Sequence, residues 1–197
     1  MVTRVESAAA TRQALLEAAR ELLDAGGPEA VTLREVGARA GVSRGAPYRH
    51  FADKESLLTA IATEAWERIG DAVQALRADP DLEPADKLKS ALTGLIELGR
   101  RQPRLYQLMF TTPSGDPSAI ANAAGRSQDE FLAIVAELVG EADAYRYGAL
   151  LMTSAHGITG MEVSGHLTVE KWHTNPDELV ALLAALVLDR RGTPFHD

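Results

Sequence analysis

The sequence predicts an all-helical protein. Alanine and leucine are abundant, aromatic residues make up only 5% of the chain and β-branched runs are few, a balance that favours helix over sheet. Apolar residues recur every three to four positions along most of the chain. The recurrence is interrupted at Gly and Pro clusters, as expected between helices. About nine helices follow from these interruptions. No internal repeat, coiled-coil run or low-complexity tract is present.

Residues 1–7 read as a loose tail. A first helix is expected over 8–25, with Leu15, Ala19, Leu22 and Leu23 as its apolar stripe and Gly26-Gly27-Pro28 as its stop. Residues 28–31 form a short connector. Thr32 can cap the second helix, since Glu35 three residues on completes a capping-box pattern. Leu33, Val36 and Ala40 recur on it at helical spacing. Gly41 can supply the left-handed backbone that ends it, Val42 plugs the joint, and Ser43 is a suitable N-cap for a third, short helix. Phe51-Ala52-Asp53-Lys54 breaks that helix, and Asp53 can cap a long one over 54–76 that buries Leu57, Leu58, Ile61, Ala65 and Ile69. Asp79-Pro80 and Glu83-Pro84 bracket a loop. A helix over 85–101 carries Leu88, Leu92, Leu95, Ile96 and Leu98. Pro103 fits the first turn of a short helix ending near Phe110. Residues 111–116, dense in Thr, Pro, Ser and Gly, form the clearest interior loop. Helices follow over 117–139 and 144–167. The second of these is apolar or small nearly all round and is expected to be buried. Asn175-Pro176 opens a last helix ending near Arg190, whose stripe of Leu179, Val180, Leu182, Leu183, Leu186 and Val187 is too wide for one contact.

The stretch from Thr32 to Phe51 therefore reads as two short helices joined by a tight turn. The second carries Arg44, Tyr48, Arg49 and His50, all able to donate hydrogen bonds to phosphate or base edges. A helix-turn-helix places such a helix in the DNA major groove.

The net charge of −8 seems to oppose nucleic acid, but its distribution does not. Residues 32–54 hold five Lys or Arg against two acidic residues, a local +3 before His50 is considered, leaving −11 for the rest. A basic patch on an acidic body still meets phosphates, while the body limits non-specific adhesion. Cysteine is absent, so neither a disulfide framework nor a thiolate metal site is possible. No apolar run is long enough to span a membrane, and the N-terminus lacks a signal-peptide core. The expectation is a cytoplasmic protein with no membrane contact.

The segment VTLREVGARAGVSRGAPYRHFADKESLL has a capped helix, an Ala-Gly-Val-Ser turn, Tyr-x-His-Phe and Lys-Glu-x-Leu-Leu. In this it resembles the TetR family of bacterial transcriptional repressors, most strongly over 11–58. The C-terminal half is similar in helix count and length. His156-Gly157 looks like a signature of one regulatory-domain subgroup, although Thr153 and Ser154 stand where a Trp often precedes it. The resemblance implies a TetR-like fold: a three-helix helix-turn-helix DNA-binding domain over 1–53, then a helical ligand-binding and dimerisation domain over 54–197. It also implies a homodimer on a palindromic double-stranded operator, released by a small apolar effector, with no cofactor. Two positions depart from the family. Gly37 stands where Ala is common, and either relieves crowding against the next helix or weakens its own. Pro47 is read as packing near the end of the turn.

The expected DNA contacts are Thr32, Ser43, Tyr48, His50 and Lys54 to phosphate, with Arg44 and Arg49 reading bases. Tyr48 and His50 match the family's phosphate-contact positions, and Thr32 and Lys54 also sit at helix N-termini, which favour anions. Gly45 and Ala46 are small enough to let the backbone approach base edges. Arg can bridge guanine O6 and N7. The family's ligand cavity implies Trp66, Leu95, Tyr106, Phe110, Phe131, Met152 and His156 as its lining. Its four-helix dimer interface implies Leu150, Ile158, Met161, Leu179, Leu183, Leu186 and Val187.

Three other readings have a footing in the residues. Gly41-Val42-Ser43-Arg44-Gly45 spells the G-x-S-x-G nucleophile elbow of a hydrolase, but that motif needs a strand before it. Glu162 and His166, with Glu170 and His173 nearby, have metal-like spacing. An interaction protein with a purely structural helix-turn-helix is the third.

Overall fold

A computed structural model describes residues 4–111 and 117–189. Its elements are α1 Arg4–Gly26, a 3-10 turn Pro28–Ala30, α2 Leu33–Arg39, α3 Ala46–His50, α4 Lys54–Ala78, α5 Pro84–Arg101, α6 Pro103–Met109, α7 Ser118–Val139, α8 Glu141–Val163, α9 Val169–Trp172 and α10 Pro176–Asp189. The all-helical expectation holds, with ten α-helices among the described residues in place of about nine. The expected tail is helical from Arg4. Most of the expected loop, residues 112–116, lies outside the described residues, as does Arg190, where the last helix was expected to end.

The residues group into two compact units, Met1–Trp66 with Gln102–Ala123, and Glu67–Arg101 with Ala124–Asp197. The unit that holds the helix-turn-helix thus takes in the first half of α4 and all of α6, beyond the segment 1–53 expected to bind DNA. Leu15, Leu16, Ala19 and Leu23 of α1 form its core with Val31, Val36, Phe51, Leu57 and Ile61. Leu16 takes the place expected for Leu22, which is half-buried. Arg20 crosses this unit from α1 to pair with Glu64 of α4, and Arg12 also reaches Glu64, at 3.5 Å.

The second unit is built on α5, α8 and α10, which pack on one another. Leu88, Leu92, Leu95 and Ile96 of α5 are buried there with Leu151 and Ala155 of α8 and Val180 of α10. Arg100 ties the three helices together. Its Nε donates to both carboxylate oxygens of Glu162 at 2.8 and 2.9 Å, and its Nη2 lies 3.6 Å from Asp177.

α8 corrects two expectations. It begins at Glu141 behind Gly140 (φ 83°) and stops at Val163 instead of 167. Gly165, at φ 73°, turns the chain so that His166 and Leu167 both donate to the Met161 carbonyl, at 2.8 and 2.9 Å. Nor is the helix buried all round. Ala144, Tyr147, Gly148, Leu151, Ala155 and Thr159 face inward, while Tyr145, Leu150, Met161 and Val163 are exposed.

Candidate nucleic-acid interface

The helix-turn-helix is assembled by local hydrogen bonds. Thr32 is extended (φ −130°) and its hydroxyl accepts the Glu35 N–H at 3.2 Å, as the capping pattern predicts. Gly41 sits at φ 67°. Its N–H donates to Ala38 O at 3.3 Å and the Val42 N–H to Gly37 O at 3.2 Å, the paired bonds of a Schellman turn. The next helix starts later than expected. Gly45 is its N-cap, so Ser43 does not cap it. Ser43 closes the turn with its carbonyl instead, accepting the Ala46 N–H at 2.9 Å. The joint is plugged by buried Pro47, and Val42 is only half-buried. Pro47 lies in the first turn of α3, where a missing N–H costs no helical bond. Asp53 caps α4 as expected: its carboxylate accepts the Ser56 N–H at 2.7 Å, and the Ser56 hydroxyl accepts the Asp53 N–H at 3.2 Å.

This scaffold presents most of the predicted DNA contacts on one segment. Thr32, Ser43, Arg44, Gly45 and Arg49 are exposed, and Ala46 and His50 are half-buried. Tyr48 is 61% exposed, which sets aside a core role for its ring. A Cβ at Gly45 would meet nothing within 4 Å, so chain packing does not demand glycine there. The cations divide into two groups. Arg39 is held by Glu21 at 2.6 Å and Lys54 stands 3.7 Å from Glu29. Among the described residues no ion pair engages Arg34, Arg44 or Arg49.

A groove of about 580 Å³ runs between α2 and the turn into α3, lined by Leu33, Arg34, Gly37, Ala38, Val42, Arg44 and Tyr48. Arg34 thus shares a groove with Arg44 and Tyr48. Sequence reasoning counted it only in the charge balance, because sharing this groove depends on how α2 crosses α3. Two guanidiniums and a phenol are donors suited to anionic oxygens.

The expected ligand-cavity residues fall into separate groups. Trp66, Tyr106 and Phe110 form an aromatic cluster: Phe110 meets Trp66 edge-on at 5.3 Å and Tyr106 at 4.9 Å. The Trp66 indole donates to the Met109 carbonyl at 3.2 Å. Leu95 and Phe131 are buried in the other unit. There Met152 is half-buried, and His156 and Gly157 are exposed. Of the expected dimer residues, Leu150, Met161 and Leu186 are exposed, and Ile158, Leu179 and Leu183 are half-buried. Val187 is 3% exposed and faces its own core.

The competing readings find little geometry. Ser43 is preceded by α2 and its turn, so the strand a nucleophile elbow requires does not precede it. Glu162 is occupied by Arg100, and among the described residues no three His, Cys, Asp or Glu side chains gather to hold a metal. No described helix is long and apolar enough to cross a membrane.

Comparison with known proteins gives the same picture. Residues 15–61 match the family model for bacterial regulatory proteins of the tetR family, and residues 88–187 match that for the tetracyclin repressor-like C-terminal domain. An uncharacterised HTH-type transcriptional regulator of Mycobacterium tuberculosis is 32% identical over 114 residues, 58% of this chain and 54% of that protein. The HTH-type transcriptional repressor KstR of Rhodococcus jostii is 29% identical over 125 residues, 62% of this chain and 58% of the repressor. The chain thus spans a little over half the length of these curated relatives. A TetR transcriptional regulator structure from Rhodococcus sp. RHA1 superposes with a TM-score of 0.60 at 22% identity, over 91% of this chain and 97% of that one.

Proposed function

The chain belongs to the TetR family of bacterial regulatory proteins, and on that premise we propose that it is a DNA-binding transcriptional repressor. It acts as a homodimer in the cytoplasm, on a palindromic operator, and is a regulator, not an enzyme. The observation that carries this reading is the exposed set Arg44, Tyr48 and Arg49, with Arg34 sharing the groove of Arg44 and Tyr48, on a turn closed by the chain's own hydrogen bonds. Arg44 and Arg49 read base edges. Tyr48, His50, Thr32, Ser43 and Lys54 bind phosphates. Gly45 and Ala46 let the backbone close on the bases. Two-fold symmetry then spaces two such helices about 34–36 Å apart, or a multiple of it.

The dimer uses the outward apolar faces of α8 and α10. Leu150, Met161, Leu182 and Leu186 stand exposed there, and exposed apolar surface of this extent on two neighbouring helices calls for a second surface to cover it. Repression is relieved when a small apolar molecule binds the non-DNA conformation better than the DNA-bound one. That difference in affinity limits the switch. Trp66, Tyr106 and Phe110 are the candidate contacts within one unit, and Leu95, Phe131, Met152 and His156 those within the other.

Selection of bound fragments from random duplex DNA tests the reading directly. A two-fold symmetric half-site is expected, with affinity that falls steeply as salt rises. A purified chain that enriches no sequence and ignores duplex DNA even in dilute buffer overturns it. Trp66 emission, followed in a Trp172→Phe variant while derepressing compounds are titrated, tests the aromatic cluster: quenching or a shift is expected, and an unchanged spectrum with a compound that does release DNA removes Trp66 from the site.

A further inference from the structure

We propose that Gly37 and Pro47 are a matched pair of positioning residues that seat α3 against α2 and so fix which half-site the chain reads. The inference rests on the DNA-binding reading above and adds what determines its specificity. Glycine inside a helix costs about 1 kcal/mol relative to alanine, so α2 carries it at a loss. The space around it accounts for the choice. A Cβ at Gly37 would lie 2.7 Å from Pro47 Cγ and 3.4 Å from its Cδ. Real Cβ atoms essentially never approach another heavy atom closer than 3.0 Å, and a pyrrolidine ring, closed on its own backbone nitrogen, can move Cγ only by a change of pucker. Both residues are buried. The ring therefore occupies the position a side chain at 37 would take, and α2 and α3 approach more closely than any other residue at 37 allows.

That contact bears on the surface that meets DNA. Gly37 lines the same groove as Arg34, Arg44 and Tyr48, with Arg34 on α2 and the other two on the turn and on α3. The depth at which Pro47 seats on Gly37 sets how far apart the two guanidiniums stand. α3 has only five residues and its N-cap is a glycine with no side chain to offer. A helix this short takes its angle from the turn before it and from its packing on α1 and α2, and the ring-on-glycine contact is where it meets α2.

The test is a double-mutant cycle on the full chain, using the duplex that the wild-type protein selects and the same duplex changed one base pair at a time. Gly37→Ala is expected to lose about tenfold or more in affinity for the selected duplex and to change the order in which altered base pairs are tolerated. Pro47→Ala is expected to relax that order by more than it weakens binding to unrelated duplex. In Gly37→Ala/Pro47→Ala the new methyl has room, and affinity is expected within about threefold of Pro47→Ala alone. Each variant's melting temperature separates a loss of fold from a loss of fit. If Gly37→Ala does not fold, the base-pair preference of Pro47→Ala decides alone. The same penalty for Gly37→Ala in both backgrounds overturns the inference, as does an unchanged preference in Pro47→Ala. If the wild-type chain selects no duplex, the DNA-binding reading falls and the inference with it. A wild-type chain that selects normally while the variants behave additively removes the inference alone.

Discussion

Thr32, Gly41 and Asp53 show which residues the sequence made readable. Each acts through a bond to a neighbour three or four positions away, so spacing alone announced it, and each is found at its expected bond or left-handed φ. Thr32→Ala should lower stability by about 1 kcal/mol, the usual cost of a lost hydroxyl cap. Denaturant unfolding would show it as a lower midpoint at unchanged slope. Ser43 was misplaced for a related reason. Its type suits a cap, but Gly45 and Pro47 delay the start of α3, and no spacing rule weighs these against the serine. Gly37 is readable as relief of crowding against the next helix and Pro47 as packing, but that the two meet, like the place of Arg34 in the groove, depends on the crossing of two helices. At the groove, Arg44→Ala should cost about 1–3 kcal/mol of discrimination at one base pair. Lys54→Ala should weaken every duplex alike and reduce the salt slope by about one. Competition binding against altered operators distinguishes the two: equal losses on all sequences for Arg44→Ala would make it a phosphate contact instead.

At the scale of whole elements, periodicity located nine of the ten helices, and the misses have physical causes. α9 is a single turn of four residues, too short to carry a period. α8 was expected to be buried because it is apolar on every side, but hydropathy does not say whether the covering surface belongs to the same chain. Here one face packs inward and the other carries Leu150 and Met161 outward. α10 divides in the same way: Val180, Ala184 and Val187 face its own core, while Leu182 and Leu186 are 57% and 65% exposed. Val187 was grouped with the dimer residues because a wide stripe hides which part faces inward. The division yields a prediction about assembly. Leu182→Glu/Leu186→Glu places two charges on the outward face and leaves the core untouched, so the melting temperature of the separated chain should change little. Light scattering should report a monomer, and operator affinity should fall because one recognition helix is lost per complex. A dimer of unchanged mass would place the interface elsewhere. Val187→Ala, by contrast, should destabilise the fold by about 1–3 kcal/mol without altering the assembly state.

Across the whole molecule the charges are arranged for two different tasks. The basic excess between Thr32 and Lys54 stands on a chain of net −8, so on the proposed reading duplex binding rests on a small patch and should respond sharply to salt. The acidic residues elsewhere are partly engaged in holding helices together. Arg77 is bonded to Glu130 at 2.6 Å, and Arg100 gathers Glu97, Glu162 and Asp177 from three helices. The Glu97 carboxyl is held below the ordinary glutamate range, chiefly because the Arg100 guanidinium hydrogen-bonds to it; some burial works in the opposite direction, and the nearby positive charges of Arg100 and Arg101 add to the lowering. A carboxylate whose folded-state pKa is depressed contributes stability that is fully present above its unfolded value and is lost as pH falls through the folded one. Stability of the α5–α8–α10 unit should therefore hold from neutral pH down to the ordinary glutamate range and decline below it. Thermal unfolding followed by circular dichroism at stepwise lower pH measures this. Arg100→Met removes the donor and leaves the three carboxylates without it, so the variant should be less stable at neutral pH and should lose less on acidification. If both proteins lose stability in parallel as pH falls, the acid sensitivity arises outside the Arg100 cluster.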